Sequence, residues 1–144
     1  MNTNKTYNIL AVDDAKDTLM LLDFDLVEEG YQVFTAESGE LAFAVLEDES
    51  IDLILLDMYM PGMSGLVMLQ KLKAHLDFVN TPVIMLSASD DEDQIVAALE
   101  FGADDYVTKP YIPKVLLARI RTSLRLLEKT LELESSVSWR EKLI

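Results

Sequence analysis

Apolar residues in this chain follow two rhythms that take turns. Unbroken runs of strand length appear at Asn8–Val12 (Asn-Ile-Leu-Ala-Val), Asp52–Leu56 and Pro82–Leu86 (Pro-Val-Ile-Met-Leu). Tyr31–Thr35 and Asp105–Val107 are more mixed versions of the same thing, rich in β-branched and aromatic residues. Between these runs apolar residues recur three and four apart, as on one face of a helix. The spacing predicts helices over Lys16–Glu29 (face Leu19, Leu22, Leu26, Val27), Gly39–Glu47 (Leu41, Ala42, Val45, Leu46), Gly65–Leu76 and Asp91–Phe101 (Ile95, Ala98, Leu99). Ser38, Ser64 and Asp90 stand where N-caps belong, and Gly30 and Gly102 where a chain leaving a helix wants positive φ. A last helix starts near Ile112 with Pro113 in its first turn, where the missing N–H costs nothing.

Strand and helix thus alternate five times. The first, third and fourth strands are nearly continuous in apolar character, as expected of strands covered on both faces. The fold class this implies is α/β: a doubly wound, five-stranded parallel sheet with five helices, filling about residues 6–125. Residues 126–144 are then a C-terminal helical extension.

Composition narrows the chemistry. With no cysteine and one histidine, His75, the chain cannot build a thiolate or histidine-based metal site or a His-assisted triad. The formal charge of −14 repels nucleic-acid phosphates, so no direct nucleic-acid binding is expected. No apolar run approaches the roughly 20 residues that span a bilayer, and Met1–Thr6 is polar rather than signal-like, so a cytoplasmic protein with no membrane contact is expected.

Part of the acidity falls at strand ends, and there solvation explains it poorly. Ligands of an open parallel sheet bind beyond the carboxyl ends of its strands. Those ends carry Asp13 and Asp14, Asp57, Ser87 and Lys109. Each alone has an ordinary reading, as a helix cap, a turn residue or a surface group. Together they crowd like charges that need a cation or a proton to relieve them. Three carboxylates without sulfur or imidazole suit a hard divalent ion, foremost Mg²⁺. A carboxylate can also attack phosphorus to give an acyl phosphate, a reaction that needs mainly positioning and neutralised oxygens.

At these residues the chain resembles the receiver domain of bacterial two-component response regulators, over about residues 7–125. The Asp-x-x-Met-Pro-x-Met-x-Gly pattern is present as Asp57, Met60, Pro61, Met63 and Gly65. The resemblance implies a flavodoxin-like strand order of 2-1-3-4-5. It also implies that Asp57 is the phosphorylated residue and that Mg²⁺ is held by Asp13, Asp14, Asp57 and the backbone carbonyl of Tyr59. Lys109, before Pro110, and Ser87 would read the phosphoryl group, with the small Ala88 leaving room. Ser87 and Tyr106 would be the switch, altering the surface of the fourth helix, fifth strand and fifth helix. The implied partners are a sensor histidine kinase or phosphotransfer protein and an effector domain or protein. Tyr111 stands where phenylalanine is common, and Tyr59 and Ser89 occupy variable positions flanking the path of attacking water.

Leu117, Ile120, Leu124, Leu127 and Leu131 form a heptad-like seam that outlasts the domain, so a homodimer through the C-terminal helix is expected. Val137–Ile144, with Trp139, is too short for an output domain, so the expectation is either a stand-alone receiver or, ahead of it, the front of a longer chain with its effector further along. Two rival readings stand beside this one. A haloacid-dehalogenase-type phosphohydrolase would want a second acid two residues after the nucleophile, where Tyr59 sits. A plain flavodoxin-like binding module would want a Ser/Thr/Gly loop after the first strand, where Asp13 and Asp14 repel phosphate.

Overall fold

In the computed structural model, which describes residues 5–143 and the side chains of 5–134, strands and helices alternate along the chain. The strands are β1 (Asn8–Val12), β2 (Gln32–Ala36), β3 (Leu53–Asp57), β4 (Val83–Ser87) and β5 (Asp105–Thr108). The helices are α1 (Lys16–Glu28), α2 (Gly39–Asp48), α3 (Gly65–Ala74), α4 (Glu92–Glu100) and α5 (Pro113–Leu143). All strand pairs are parallel, in the order β2-β1-β3-β4-β5. The expected doubly wound sheet with five helices is what the chain forms.

Alternate residues of each strand point to opposite faces, and the core divides accordingly. Ile9, Ala11, Leu53, Leu55, Ile84 and Leu86 pack under α1 (Leu19, Leu22, Leu26) and α5 (Leu116, Ile120, Leu124). Leu10, Val12, Ile54, Leu56, Val83 and Met85 pack under α2 to α4 (Ala42, Met68, Leu72, Ala98). β3 and β4 are buried throughout, whereas β2 and β5, at the sheet edges, are mixed. That is why their sequences are the less apolar ones.

Several boundaries differ from the sequence reading. β3 and β4 each start and end one residue later than the apolar runs, because Asp57 pairs with Leu86, and Ser87 with Thr108, through the backbone whatever their side chains. Val27, Leu41 and Leu99 are 53%, 54% and 45% exposed and lie outside the buried faces. Each neighbours a buried residue in sequence and so sits about 100° around its helix from it. Ser38 and Ser64 do cap, accepting the N–H of Leu41 at 3.1 Å and of Val67 at 3.2 Å. The cap of α4 is Asp91, which accepts the Asp93 N–H at 2.9 Å, and not Asp90.

Of the C-terminal seam, Leu117, Ile120 and Leu124 are buried against the sheet. Leu127 is half-buried and Leu131 is 45% exposed. Leu126 and Leu133, outside that seam, are open to solvent. The side chain of Trp139 lies outside the described residues. Among the described residues no helix is long and apolar enough to cross a membrane.

Candidate functional site

β1 and β3 are neighbours in the sheet, so their last residues emerge side by side. Asp57 closes β3 and is 6% exposed; Asp13 follows β1 and is 2% exposed. Asp14 is open to solvent. One carboxylate oxygen from each of Asp13, Asp14 and Asp57 lies within 4.8 Å of the others. β4 and β5 deliver the remaining pair: Ser87, fully buried, and Lys109, whose N–H bonds to the Ser87 carbonyl at 2.8 Å. The Lys109–Pro110 peptide is cis.

Neither aspartate at the head of α1 caps that helix. The N-cap position is Ala15, and Asp13 Oδ1 instead accepts the Ala15 N–H at 2.9 Å, folding the chain tightly after β1. Asp13 Oδ2 takes a hydrogen bond from the Lys109 ammonium, which also lies 3.5 Å from Asp57 Oδ1. One cation therefore bridges two of the three acids, Asp13 and Asp57. Burial pushes the Asp57 carboxyl above its ordinary value, Asp13 pushes it further, and Lys109 and the Tyr59 N–H oppose the rise only in part. Charge of this sign in a polar, oxygen-lined rim is the environment in which a hard divalent ion binds, and Mg²⁺ fits the donor set.

The loop after Asp57 is shaped by glycine. A Cβ on Gly65 would lie 2.0 Å from the Asp57 carbonyl oxygen, closer than any side chain tolerates, and the Gly65 N–H bonds to Met58 O at 3.0 Å. Glycine here lets α3 start directly against the end of β3. Gly62, at φ +76°, makes the turn between them.

Of the residues singled out by sequence, Asp13, Asp14, Asp57 and Lys109 converge. Tyr59, named for its backbone carbonyl, turns its side chain to solvent, 53% exposed. The Tyr106 hydroxyl donates to Ser89 O at 3.0 Å, and Ser87 Oγ accepts the Ser89 N–H at 3.3 Å, so both switch candidates engage the same residue. Sequence reasoning missed the bond from Tyr111 OH to Asp25 Oδ2, at 2.8 Å, which ties the loop after Lys109 to α1. It also missed a groove of about 460 Å³ beside Lys109, lined by Leu21, Ala88, Pro110 and Tyr111 among others. No local pattern marks either feature.

Comparison with known proteins identifies the family and the fold. Residues 9–121 match the model of the response regulator receiver domain. The chain is 43% identical over 117 residues to the phosphate regulon transcriptional regulatory protein PhoB of Pseudomonas aeruginosa, covering 81% of this chain and 51% of that protein. The chain thus spans about half the length of that curated relative. Among solved structures, a CheY-like receiver domain protein from Methanospirillum hungatei aligns with a TM-score of 0.81 at 33% identity, over 88% of this chain and 99% of that one. The chemotaxis protein CheY4 of Vibrio cholerae aligns with a TM-score of 0.79 at 27% identity, over 83% and 99%.

Proposed function

Because the chain belongs to the response regulator receiver domain family, we propose that it is a phosphorylation-dependent signalling switch whose phosphoacceptor is Asp57. A carboxylate oxygen of Asp57 would form the P–O bond while the P–N bond of a phosphohistidine on a sensor histidine kinase or phosphotransfer protein breaks. The released imidazole takes up a proton from solvent. The observation that carries this reading is the buried Asp57 within 4.8 Å of two further carboxylates and 3.5 Å from an ammonium.

Asp13, Asp14, Asp57 and the Tyr59 carbonyl would hold Mg²⁺, which when bound supplies positive charge to the carboxylates and to a phosphoryl oxygen. Lys109 neutralises a second oxygen, and because it spans Asp13 and Asp57 it needs only a short swing to do so. Ser87 donates to a third. The phosphoryl group adds up to two negative charges. Its pull on Ser87 would draw Tyr106 off the Ser89 carbonyl and inward, changing the α4–β5–α5 surface that an effector domain or protein reads.

A protein donor suits the surroundings. Met20, Leu21 and Phe24 on α1 are 71%, 59% and 65% exposed, and the apolar groove at Leu21 and Tyr111 runs up to Lys109. Residues 6–125 would be the receiver domain and 126–144 an extension that leads to an effector or pairs with a second copy, the whole acting in the cytoplasm. The product of the reaction is an altered surface, and the chain's own chemistry is at most self-phosphorylation from small donors and self-dephosphorylation.

The test is incubation with acetyl phosphate and Mg²⁺. The chain should gain one phosphoryl group, lose the ability when Mg²⁺ is chelated, and lose it in Asp57→Asn. A wild-type chain that never gains the group would end the proposal.

A further inference from the structure

α5 does not stop where the sheet does. The family match ends at residue 121, yet the helix continues to Leu143. The two solved receivers described above match over 99% of their own length but cover only 83% and 88% of this chain. In water most helical stability comes from tertiary packing, so a helix leaving a domain needs contacts to hold one direction.

Such contacts meet at Glu128, whose side chain is 24% exposed. The hydroxyl of Tyr7 donates to Glu128 Oε1 at 3.0 Å, and Lys5 Nζ lies 3.4 Å from the same oxygen. Lys5 also stands 4.8 Å above the Tyr7 ring and 3.9 Å from Asp52 Oδ1. Tyr7 is a firm anchor. It is 5% exposed, packs in the same cluster as Leu26 and Leu124, and its carbonyl takes the Gln32 N–H at 3.0 Å. Asp52 is tied in turn to the first residue of β1, accepting the Asn8 N–H. The bond also registers in the titration of its partners. Burial and then Glu128 push the Tyr7 hydroxyl up to about 12, while the Tyr7 bond holds the Glu128 carboxyl below its ordinary value.

These contacts join the segment before β1 to the continuation of α5, at the amino end of the strands, opposite Asp57. We propose that Lys5, Tyr7 and Glu128 form a clasp that locks the continuation of α5 to the starts of β1 and β3, making residues 126–134 a rigid arm rather than a free linker. Helical rotation of about 100° per residue then places Leu126 and Leu133 on the side away from the clasp, where both are exposed. Any motion of α5 is carried outward along the arm with its facing preserved. The proposal stands apart from the phosphorylation chemistry, since none of its residues borders Asp57.

Amide hydrogen exchange on the full chain tests it. Tyr7→Phe keeps the buried ring and removes only the donor, and Glu128→Gln removes only the charge and weakens the acceptor. Each should speed exchange across 126–134 by about threefold to tenfold, the range expected for one lost hydrogen bond. Exchange in β3 and β4 should stay at the wild-type rate. The double variant should accelerate exchange by less than the product of the two single effects, because both substitutions act on the one Tyr7–Glu128 bond. Wild-type exchange across 126–134 in both single variants would overturn the clasp, and so would acceleration in the double variant that reaches that product. If Tyr7→Phe disturbs β3 and β4 as well, Glu128→Gln alone decides, since it alters an edge of the molecule and not its core.

Discussion

At the amino end of the sheet, Asp52 and Asp104 each accept a backbone N–H from the start of a neighbouring strand, Asn8 and Val83, both at 2.8 Å. Each also has a lysine within 4 Å: Lys5 at 3.9 Å from Asp52 and Lys73 at 3.8 Å from Asp104. At the carboxyl end, Asp13, Asp14 and Asp57 face one another with Lys109 as the cation that bridges two of them. The same residue type is therefore used in two ways. Acids at the amino end close hydrogen bonds that the strand starts would otherwise leave open, and they stabilise the fold. Acids at the carboxyl end repel one another, with Lys109 offsetting the repulsion for two of them, an arrangement suited to a cation. Stability is concentrated at one end so that the other can be poised for chemistry.

That contrast can be broken at either end. The largest effect is expected from Lys109→Ala, which removes the cation shared by Asp13 and Asp57. Phosphorylation by acetyl phosphate in Mg²⁺ should slow by roughly a hundredfold or more, as for loss of a charged group aimed at a developing transition state. A rate within threefold of wild type would remove Lys109 from the reaction. At the amino end, Asp52→Ala and Asp104→Ala should each cost about 1–3 kcal/mol in denaturant unfolding, the penalty for orphaning an enclosed N–H. Phosphorylation by acetyl phosphate should be unaffected in both.

Asp57→Asn should act in the opposite direction and by less. In chelator at neutral pH it should raise stability by about 1 kcal/mol, because a like charge leaves the rim. The sign follows from the raised Asp57 value: its ionised form weighs against the folded state at neutral pH, and protonation relieves that as pH falls through the raised value toward the ordinary 3.8. The advantage of the Asn variant should therefore shrink over that interval. An advantage that grew on acidification would contradict the account of the rim. Added Mg²⁺ should stabilise the wild type more than the Asn variant, which lacks one of the acids.

How far the sequence alone leads can be seen from particular residues. Ile54, Leu55, Ile84 and Met85 announce buried strands because both faces of β3 and β4 are covered, and an unbroken apolar run has few other uses. The ends of those strands were misplaced by one residue, since Asp57 and Ser87 continue the backbone ladder while their polar side chains look like loop. Asp90 and Asp91 are chemically alike as caps, and only the backbone of α4 chooses between them. Asp13, Asp57, Ser87 and Lys109 were legible as a group because parallel topology carries all strand ends to one rim. Their partners were not. That Lys109 bonds to Asp13, 96 positions away, or Tyr7 to Glu128, 121 away, depends on distances no local pattern encodes.

The central claim is that Asp57, out of the acids on this rim, receives the phosphoryl group. Fragment mass spectrometry of the chain after acetyl phosphate and Mg²⁺ tests this most directly, by locating the added mass in the sequence. The account predicts a single phosphoryl group in the Ile51–Gly65 stretch, at Asp57 and not at Asp52. A phosphoryl group on Asp13 or Asp14, or a chain that carries none, would contradict it.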